Sequence, residues 1–331
     1  MNKKILITGG AGFIGLHLAN RLISEGYKVD IVDNFFRAVD DDELKQFLSI
    51  KEANFIKVNL LNVDEINNLG NDYNIIFHLA AIIGVVHVLN NSYNVLNDNV
   101  QMISNIIEFA HKQKHLERFF FSSTSEVYSG TLRYFDLPIP TPETVPLAVN
   151  DLTEPRTSYM LSKIYGEALC QQADIPFTIF RPHNVYGPRM GMAHVIPEQL
   201  KKMHNINNEE SVQVFSVTHT RCFCYIDDAI EMILLMMKSK NCEGKTLNLG
   251  TQDPEVSIEE LIKICFKVVG KKINIDVQPD SPGSPIRRGP DMRQTYDLIK
   301  YKSKTNLSNG VSKTYSWYKD NVFDTDTVFA K

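Results

Sequence analysis

A doubly wound α/β fold, with a parallel sheet covered by helices on both faces and a smaller C-terminal cap, is predicted from three observations. Short, nearly continuous apolar strands recur at residues 5–7, 29–32, 55–58, 75–79, 118–121 and 177–180. Stretches with helical spacing separate them, and doubly buried strands alternating with amphipathic helices indicate a parallel sheet. Beyond Arg181 the pattern loosens, with Pro182, Pro188 and Pro197 in a loop-rich region. Residues 1–181 are therefore expected to form a dinucleotide-binding domain, to which the chain returns near 222–250. Residues 182–331 are expected to form mostly a substrate-binding cap.

The first strand runs into Thr8-Gly9-Gly10-Ala11-Gly12-Phe13-Ile14-Gly15, and Ile14, Leu18 and Leu22 then keep helical spacing. Gly9 and Gly12 permit a tight turn and close approach to a pyrophosphate, and Gly15 lets the new helix pack close to the sheet. The helix N-terminus offers free N–H groups and a positive dipole end to phosphates. The second strand ends on Asp33, about 20 residues past the glycines, where a carboxylate suits the 2′-hydroxyl of an adenosine ribose and favours NAD over NADP. Between the fourth and fifth strands, Val95, Ile103, Ile106, Ile107 and Ala110 mark a helix. Further helices are expected at 229–237 and after Ser257, where Ser257 and Glu260 have capping-box spacing and Gly270 supplies the stop. Pro279, Pro282, Gly283, Pro285, Gly289 and Pro290 mark a long irregular stretch. The segment 131–154, with Pro138, Pro140, Pro142 and Pro146, reads as a lid or pocket wall.

The 331 residues, 43% apolar and 22% charged, are ordinary for a globular enzyme with a sizeable core. A formal net charge of −4 offers no long-range attraction to nucleic acid or an anionic membrane, so neither is expected as a partner. No apolar run approaches the ~20 residues that span a bilayer. The chain enters a buried-type strand straight after Lys3 and Lys4 without a leader pattern, so a cytoplasmic location is expected. Its odd number of cysteines, Cys170, Cys222, Cys224, Cys242 and Cys265, argues against a disulfide framework. Cys222-Phe223-Cys224 has no second Cys/His pair at ligand spacing, so no metal site is expected.

Chemistry is expected at the C-terminal ends of the middle strands, where open α/β sheets place ligands. The fifth strand ends in Ser122-Ser123-Thr124-Ser125-Glu126-Val127-Tyr128, and Tyr159-Met160-Leu161-Ser162-Lys163 follows on a helix. Positions i and i+4 share a helix face, so Tyr159 and Lys163 project together. An ammonium beside a phenol stabilises the phenolate and lowers the tyrosine pKa from about 10, which would let Tyr159 act as a general base.

In this fixed order the glycine turn, His78-Leu79-Ala80-Ala81, Asn99, the Ser/Thr-rich strand end, the Tyr159/Lys163 pair and Arg181-Pro182-His183-Asn184-Val185-Tyr186-Gly187-Pro188 resemble the extended short-chain dehydrogenase/reductase family. The likeness is specifically to its nucleotide-sugar epimerases, dehydratases and decarboxylases. It covers nearly the whole chain, including Thr220-Arg221-Cys222-Phe223-Cys224-Tyr225-Ile226-Asp227-Asp228 and Arg287-Arg288-Gly289-Pro290-Asp291. The resemblance implies a Rossmann-type domain holding NAD, which removes hydride from C4 of a nucleotide-diphosphate sugar. Tyr159 would take the 4-hydroxyl proton, Lys163 would bind the nicotinamide ribose and Thr124 would hold the 4-oxygen. Gly9, Gly12, Phe13, Ile14, Gly15, Asp33, Asn34, Asn59, Leu60, Leu79, Ala80, Ala81 and Asn99 fall at cofactor-binding positions. Asn184, Arg189, Arg221 and Arg288 fall on the substrate side, where guanidinium groups suit phosphate. A homodimer formed through helices near 99–112 and 159–173 is implied, as is a polysaccharide or glycan pathway.

A 4-keto group acidifies the C5 hydrogen, and Glu126, two residues after Thr124, is the candidate base. The Thr-Ser-Glu run resembles nucleotide-sugar 4,6-dehydratases of the GDP-mannose type and UDP-glucuronate decarboxylases. The dTDP-glucose dehydratases carry an Asp where this chain has Ser125, so the acid that would protonate a departing 6-hydroxyl has no candidate. The run after Ala81 lacks the Pro-containing turn common in decarboxylases. The expected reaction is therefore 4,6-dehydration, with UDP-glucuronate decarboxylation and then 4-epimerisation as the alternatives.

Overall fold

The computed structural model describes residues 3–325, apart from Glu209, Ile273, Pro282 and Gly283. Pro282 and Gly283, assigned above to an irregular stretch, thus lie outside the described residues, as does the end of the expected cap from 326 onwards.

Each of the six apolar runs forms a strand: β1 (Lys4–Thr8), β2 (Lys28–Asp33), β3 (Ala53–Lys57), β4 (Ile75–His78), β5 (Arg118–Ser122) and β6 (Phe177–Pro182). Among the described residues a seventh, Lys245–Leu249, completes one parallel sheet in the order Lys245–Leu249, β6, β5, β4, β1, β2, β3. The order reverses between β1 and β4, which pair Thr8 with His78, and beyond their C-terminal ends is where open α/β sheets bind ligands.

Successive side chains on a strand point to opposite faces, and the core divides accordingly. Ile5, Ile7, Val29, Ile31, Phe77, Phe120 and Phe180 bury one face with Leu16, Leu18 and Leu22 of helix Phe13–Ser24 and Ile230 and Ile233 of helix Ile226–Lys238. Leu6, Val32, Ile76, Phe119, Phe121 and Ile179 bury the other, with Ile103, Ile106 and Ile107 of helix Ser92–His111 and Cys170 of helix Pro155–Gln172. This two-sided burial is why the strands read as continuous apolar runs.

Strand Lys245–Leu249 escapes that signature because it carries Asn248 in its middle. Asn248 is fully buried yet well partnered. Its carbonyl oxygen accepts from the Tyr128 hydroxyl at 2.8 Å, and its amide donates to the carbonyls of Thr141 at 2.9 Å and Asp291 at 3.0 Å. A buried polar group so satisfied costs little and ties the sheet edge to the loops above it.

Beyond β6 the chain forms helices Val195–Asn205, Ile258–Val269 and Leu307–Tyr318 with short paired strands. Thr220–Arg221 lies between Val256–Ser257 and Arg287–Arg288, and the parallel register sets Arg288 opposite Arg221. The Ser257/Glu260 capping box is complete, and Gly270 ends its helix in the left-handed region at φ 75°. All five cysteines are buried and free. Among the described residues no helix is long and apolar enough to cross a membrane.

Candidate active site

The turn after β1 is shaped by what a side chain would strike. Gly9 has φ +69°, and a Cβ there would lie 2.8 Å from the Ala80 nitrogen. The Leu79-Ala80-Ala81 segment therefore lies directly against the turn. A Cβ on Gly15 would stand 2.3 Å from the Gly9 carbonyl oxygen, so Gly15 packs on the turn itself rather than on the sheet. Gly12 caps helix Phe13–Ser24 without a side-chain bond, and no acidic residue occupies the first turn. The amides of that turn, at Phe13 and Ile14 among them, are thus left for an external anion. A cradle that any Cβ would fill, at a helix N-terminus, fits the diphosphate of NAD.

At the end of β2, one Asp33 oxygen accepts the Phe35 amide at 2.9 Å. Burial pushes its carboxyl up, opposed by backbone N–H groups of Phe35, Ala11 and Asn34. Asn34 is exposed and its side chain accepts the Phe36 amide at 2.9 Å. Asn59 turns back on the Leu61 amide at 3.2 Å, while the carbonyl of buried Leu60 accepts from Asn105. Asn99 brackets Ile82, accepting from its amide at 2.7 Å and donating to its carbonyl at 3.0 Å. It also donates to Ser162 at 3.4 Å, joining the loop after β4 to the helix that carries Tyr159.

Tyr159 and Lys163 share the cleft-facing side of helix Pro155–Gln172, with the Lys163 nitrogen 5.9 Å from the Tyr159 ring centroid. The ammonium donates to the Ser122 carbonyl at 2.7 Å, and burial pushes its pKa down to about 8. The expectation of a lowered Tyr159 pKa is corrected here. Burial first, and then the charge of Glu126, push the phenol above its ordinary 10.0; its hydrogen bond with Thr124 and the charge of Arg37 pull the other way. Desolvation outweighs every neighbouring cation in this arrangement. Behind the pair, Arg181 donates to Glu167 at 2.8 and 2.6 Å and to the Tyr128 hydroxyl at 2.8 Å, a buried network that fixes the helix against β6.

Glu126 is paired. Its carboxylate accepts from Arg288 at 2.7 Å, and that guanidinium holds it below the ordinary carboxyl value, reinforced by Arg156 and Arg221. Arg221 donates to the carbonyls of Thr220 at 2.7 Å and Ile286 at 3.3 Å and to Ser284 at 3.0 Å. Burial beside Arg288 pushes it down to about 10. Ser125 is buried against a small hollow that His183, Ile139 and Arg288 also line. The side chain of Asn184, at φ 42°, donates to the Cys222 carbonyl at 3.1 Å.

Arg189 is a second correction, for it sits behind the glycine turn with its guanidinium taken up by a carboxylate and backbone carbonyls. It bonds Asp41 at 2.7 Å and the carbonyls of Ala11 and Gly12 at 3.3 and 3.4 Å, and is 4% exposed. Two arginines whose charge acts on site residues, Arg156 on Glu126 and Arg37 on Tyr159, are absent from the sequence expectations. Arg156 stands three residues before Tyr159, so helical spacing alone could have found it. Arg37 acts on Tyr159 from the loop after β2, a placement that carries no local signal.

A profile of the NAD dependent epimerase/dehydratase family matches residues 5–250. UDP-N-acetyl-alpha-D-glucosaminuronate decarboxylase of Bacillus cytotoxicus is 31% identical over 334 residues, covering 97% of this chain and 99% of that protein. UDP-glucuronic acid decarboxylase 1 of Arabidopsis thaliana is 27% identical over 337 residues, covering 98% of this chain and 71% of that protein. Among solved structures, UDP-glucuronic acid 4-epimerase from Bacillus cereus in complex with UDP-glucuronic acid and NAD superposes with a TM-score of 0.84. It is 28% identical and covers 96% of this chain and 99% of that one.

Proposed function

The chain belongs to the NAD-dependent epimerase/dehydratase family, as an enzyme of its nucleotide-sugar branch, and from that premise we propose that it decarboxylates a nucleotide-linked hexuronate. The observation that carries this reading is the Glu126–Arg288 pair inside a cluster of arginines. A 4,6-dehydratase needs a basic carboxylate at C5 and an acid for the departing hydroxyl. Glu126 is instead held ionised by Arg288, which weakens it as a base. Ser125 offers no acid. Decarboxylation needs neither, because the electrons released at C5 come from the bond to the departing carboxylate. Arg37, Arg156, Arg221 and Arg288 set against one carboxylate leave an excess of positive charge suited to a diphosphate and a uronate together. Decarboxylase relatives at 31% and 27% identity agree with it, and the Bacillus cereus 4-epimerase shares only the uronate.

The glycine turn and the first amides of helix Phe13–Ser24 would hold the diphosphate of NAD, with Asp33 on the adenosine ribose and Lys163 on the nicotinamide ribose. When bound there, NAD would supply a reversible hydride acceptor for C4 of the sugar. Tyr159 would take the 4-hydroxyl proton with the positive charge of a bound oxidised nicotinamide offsetting the effect of its burial, and Thr124 keeps the phenol aimed at that oxygen. The resulting 4-keto acid breaks its C5–C6 bond, releasing carbon dioxide and moving the electron pair onto the C4 oxygen as an enolate. C5 then takes a proton from water, and Tyr159 returns its proton to the 4-oxygen as hydride comes back. Helices Ser92–His111 and Pro155–Gln172, packed together and exposing Tyr93 and Tyr165, form a homodimer interface in this reading.

Mass spectrometry of products from UDP-glucuronate and UDP-N-acetylglucosaminuronate tests it. Loss of carbon dioxide is the expected result. Loss of water from a neutral sugar nucleotide would restore 4,6-dehydration. An unchanged mass with a new epimer would favour 4-epimerisation, the reading that the likeness to the Bacillus cereus enzyme supports.

A further inference from the structure

Arg37 is a half-buried guanidinium that forms no hydrogen bond or ion pair among the described residues. Burial pushes it below its ordinary value, and the group that opposes this is the Tyr159 phenol rather than any carboxylate. One of its terminal nitrogens lies 3.9 Å from the ideal Cβ position of Gly84 and 3.7 Å from that of Gly191. Two glycines therefore flank the guanidinium, one from the loop after β4 and one from the segment after β6, and neither presents a side chain to it. Gly84, at φ +110°, holds a conformation that side chains rarely adopt. His194 also lies beside Gly191, 3.8 Å from its ideal Cβ.

A desolvated and unpartnered charge is costly unless an anion completes it. The place of that anion follows from the neighbours. The carbonyls of the glycine turn already have a guanidinium in Arg189, whereas Arg37 lies against Gly84 of the loop after β4, which Ile82 and Asn99 tie to the helix carrying Tyr159, the base proposed for C4. C6 is two bonds from C4, so an anionic substituent there comes within reach of a side chain on that wall of the cleft. A planar fork matches a carboxylate in bidentate fashion. We propose that Arg37 binds the C6 carboxylate of the nucleotide-linked uronate and so makes the site select uronates over neutral sugars. This assignment rests on the hexuronate reading above and adds the residue that reads the uronate.

The test compares wild type, Arg37→Met and Arg37→Lys as NAD-loaded enzymes, titrated with UDP-glucuronate and with UDP-glucose by calorimetry. Bound NAD is measured in parallel after denaturation. Arg37→Met is expected to weaken UDP-glucuronate roughly 10- to 100-fold, with UDP-glucose changed by less than about twofold. NAD content should stay unchanged, and Arg37→Lys should recover part of the loss. Equal weakening of both ligands, an unchanged preference, or loss of NAD would overturn the assignment, the last by moving Arg37 to the cofactor. A wild-type enzyme that binds both ligands alike would sink the hexuronate reading itself, and the role of Arg37 with it.

Discussion

The two walls of the cleft are built on different principles. The sheet wall is backbone: Gly9, Gly12 and Gly15 on the turn, with the Leu79-Ala80-Ala81 segment pressed against it. The cap wall is charge: Arg221 and Arg288 in register on paired strands, with Arg288 on Glu126 and Arg156 close by. A wall of backbone rejects added volume, and its free amides offer an anion partial charges that no side-chain substitution removes. A wall of guanidinium groups accepts shape changes and responds to every lost or gained charge. In the proposed reading the cofactor wall is therefore sensitive chiefly to volume, and the substrate wall chiefly to charge.

The seam between the walls is the first place to strike. Tyr159→Phe removes the proton acceptor while leaving both walls intact, and turnover should fall by about 10²–10⁴ with sugar-nucleotide affinity held, as steady-state kinetics and calorimetry would show. On the sheet wall, Gly15→Ala drives a methyl into the Gly9 carbonyl, and overpacking of about 1–3 kcal/mol should weaken NAD roughly 5- to 150-fold. Equal retention of NAD by that variant would break the steric half of the comparison.

On the cap wall, Arg288→Met removes the main cause of the lowered Glu126 pKa and leaves burial opposed only by Arg156 and Arg221. The sign follows directly. In the native enzyme Glu126 stays ionised below the ordinary 4.5, and the stability of its pair is present above that value and lost as pH falls through the lowered one. In the variant the carboxyl should titrate at higher pH than in the native enzyme, as NMR of a side-chain carbon label would show, and an unchanged titration would break the electrostatic half. Far from both walls, Ser257→Ala should cost about 1 kcal/mol in denaturant unfolding with activity unchanged, a baseline for purely structural loss.

Features that depend on local spacing are legible in the sequence alone. The six apolar strands, the Tyr159/Lys163 face and the Ser257/Glu260 box each lie within a few residues of chain. What stays hidden depends on distant partners. Arg189 meets Asp41, Ala11 and Gly12 across most of the sheet domain, and nothing near Arg189 announces them. Glu126 and Arg288 read as residues with separate roles and turn out to be one ion pair. Spacing places Tyr159 beside Lys163, but the sign of its pKa shift is set by burial, which spacing does not report. Strand Lys245–Leu249 does not read as a strand because Asn248 interrupts its apolar pattern with a partnered polar group.

That last strand also bears on how the protein is made. Among the described residues it pairs with β6 alone, and roughly 60 residues of chain separate the two. At roughly 5–20 residues per second, a ribosome takes about 3–12 s to cover that distance. Throughout this interval β6 is an open edge carrying Phe177, Ile179 and Phe180, the kind of template on which a second nascent chain can pair. The enzyme's exposure to misassembly is therefore greatest during synthesis of its cap and ends when Leu249 docks beside Pro182.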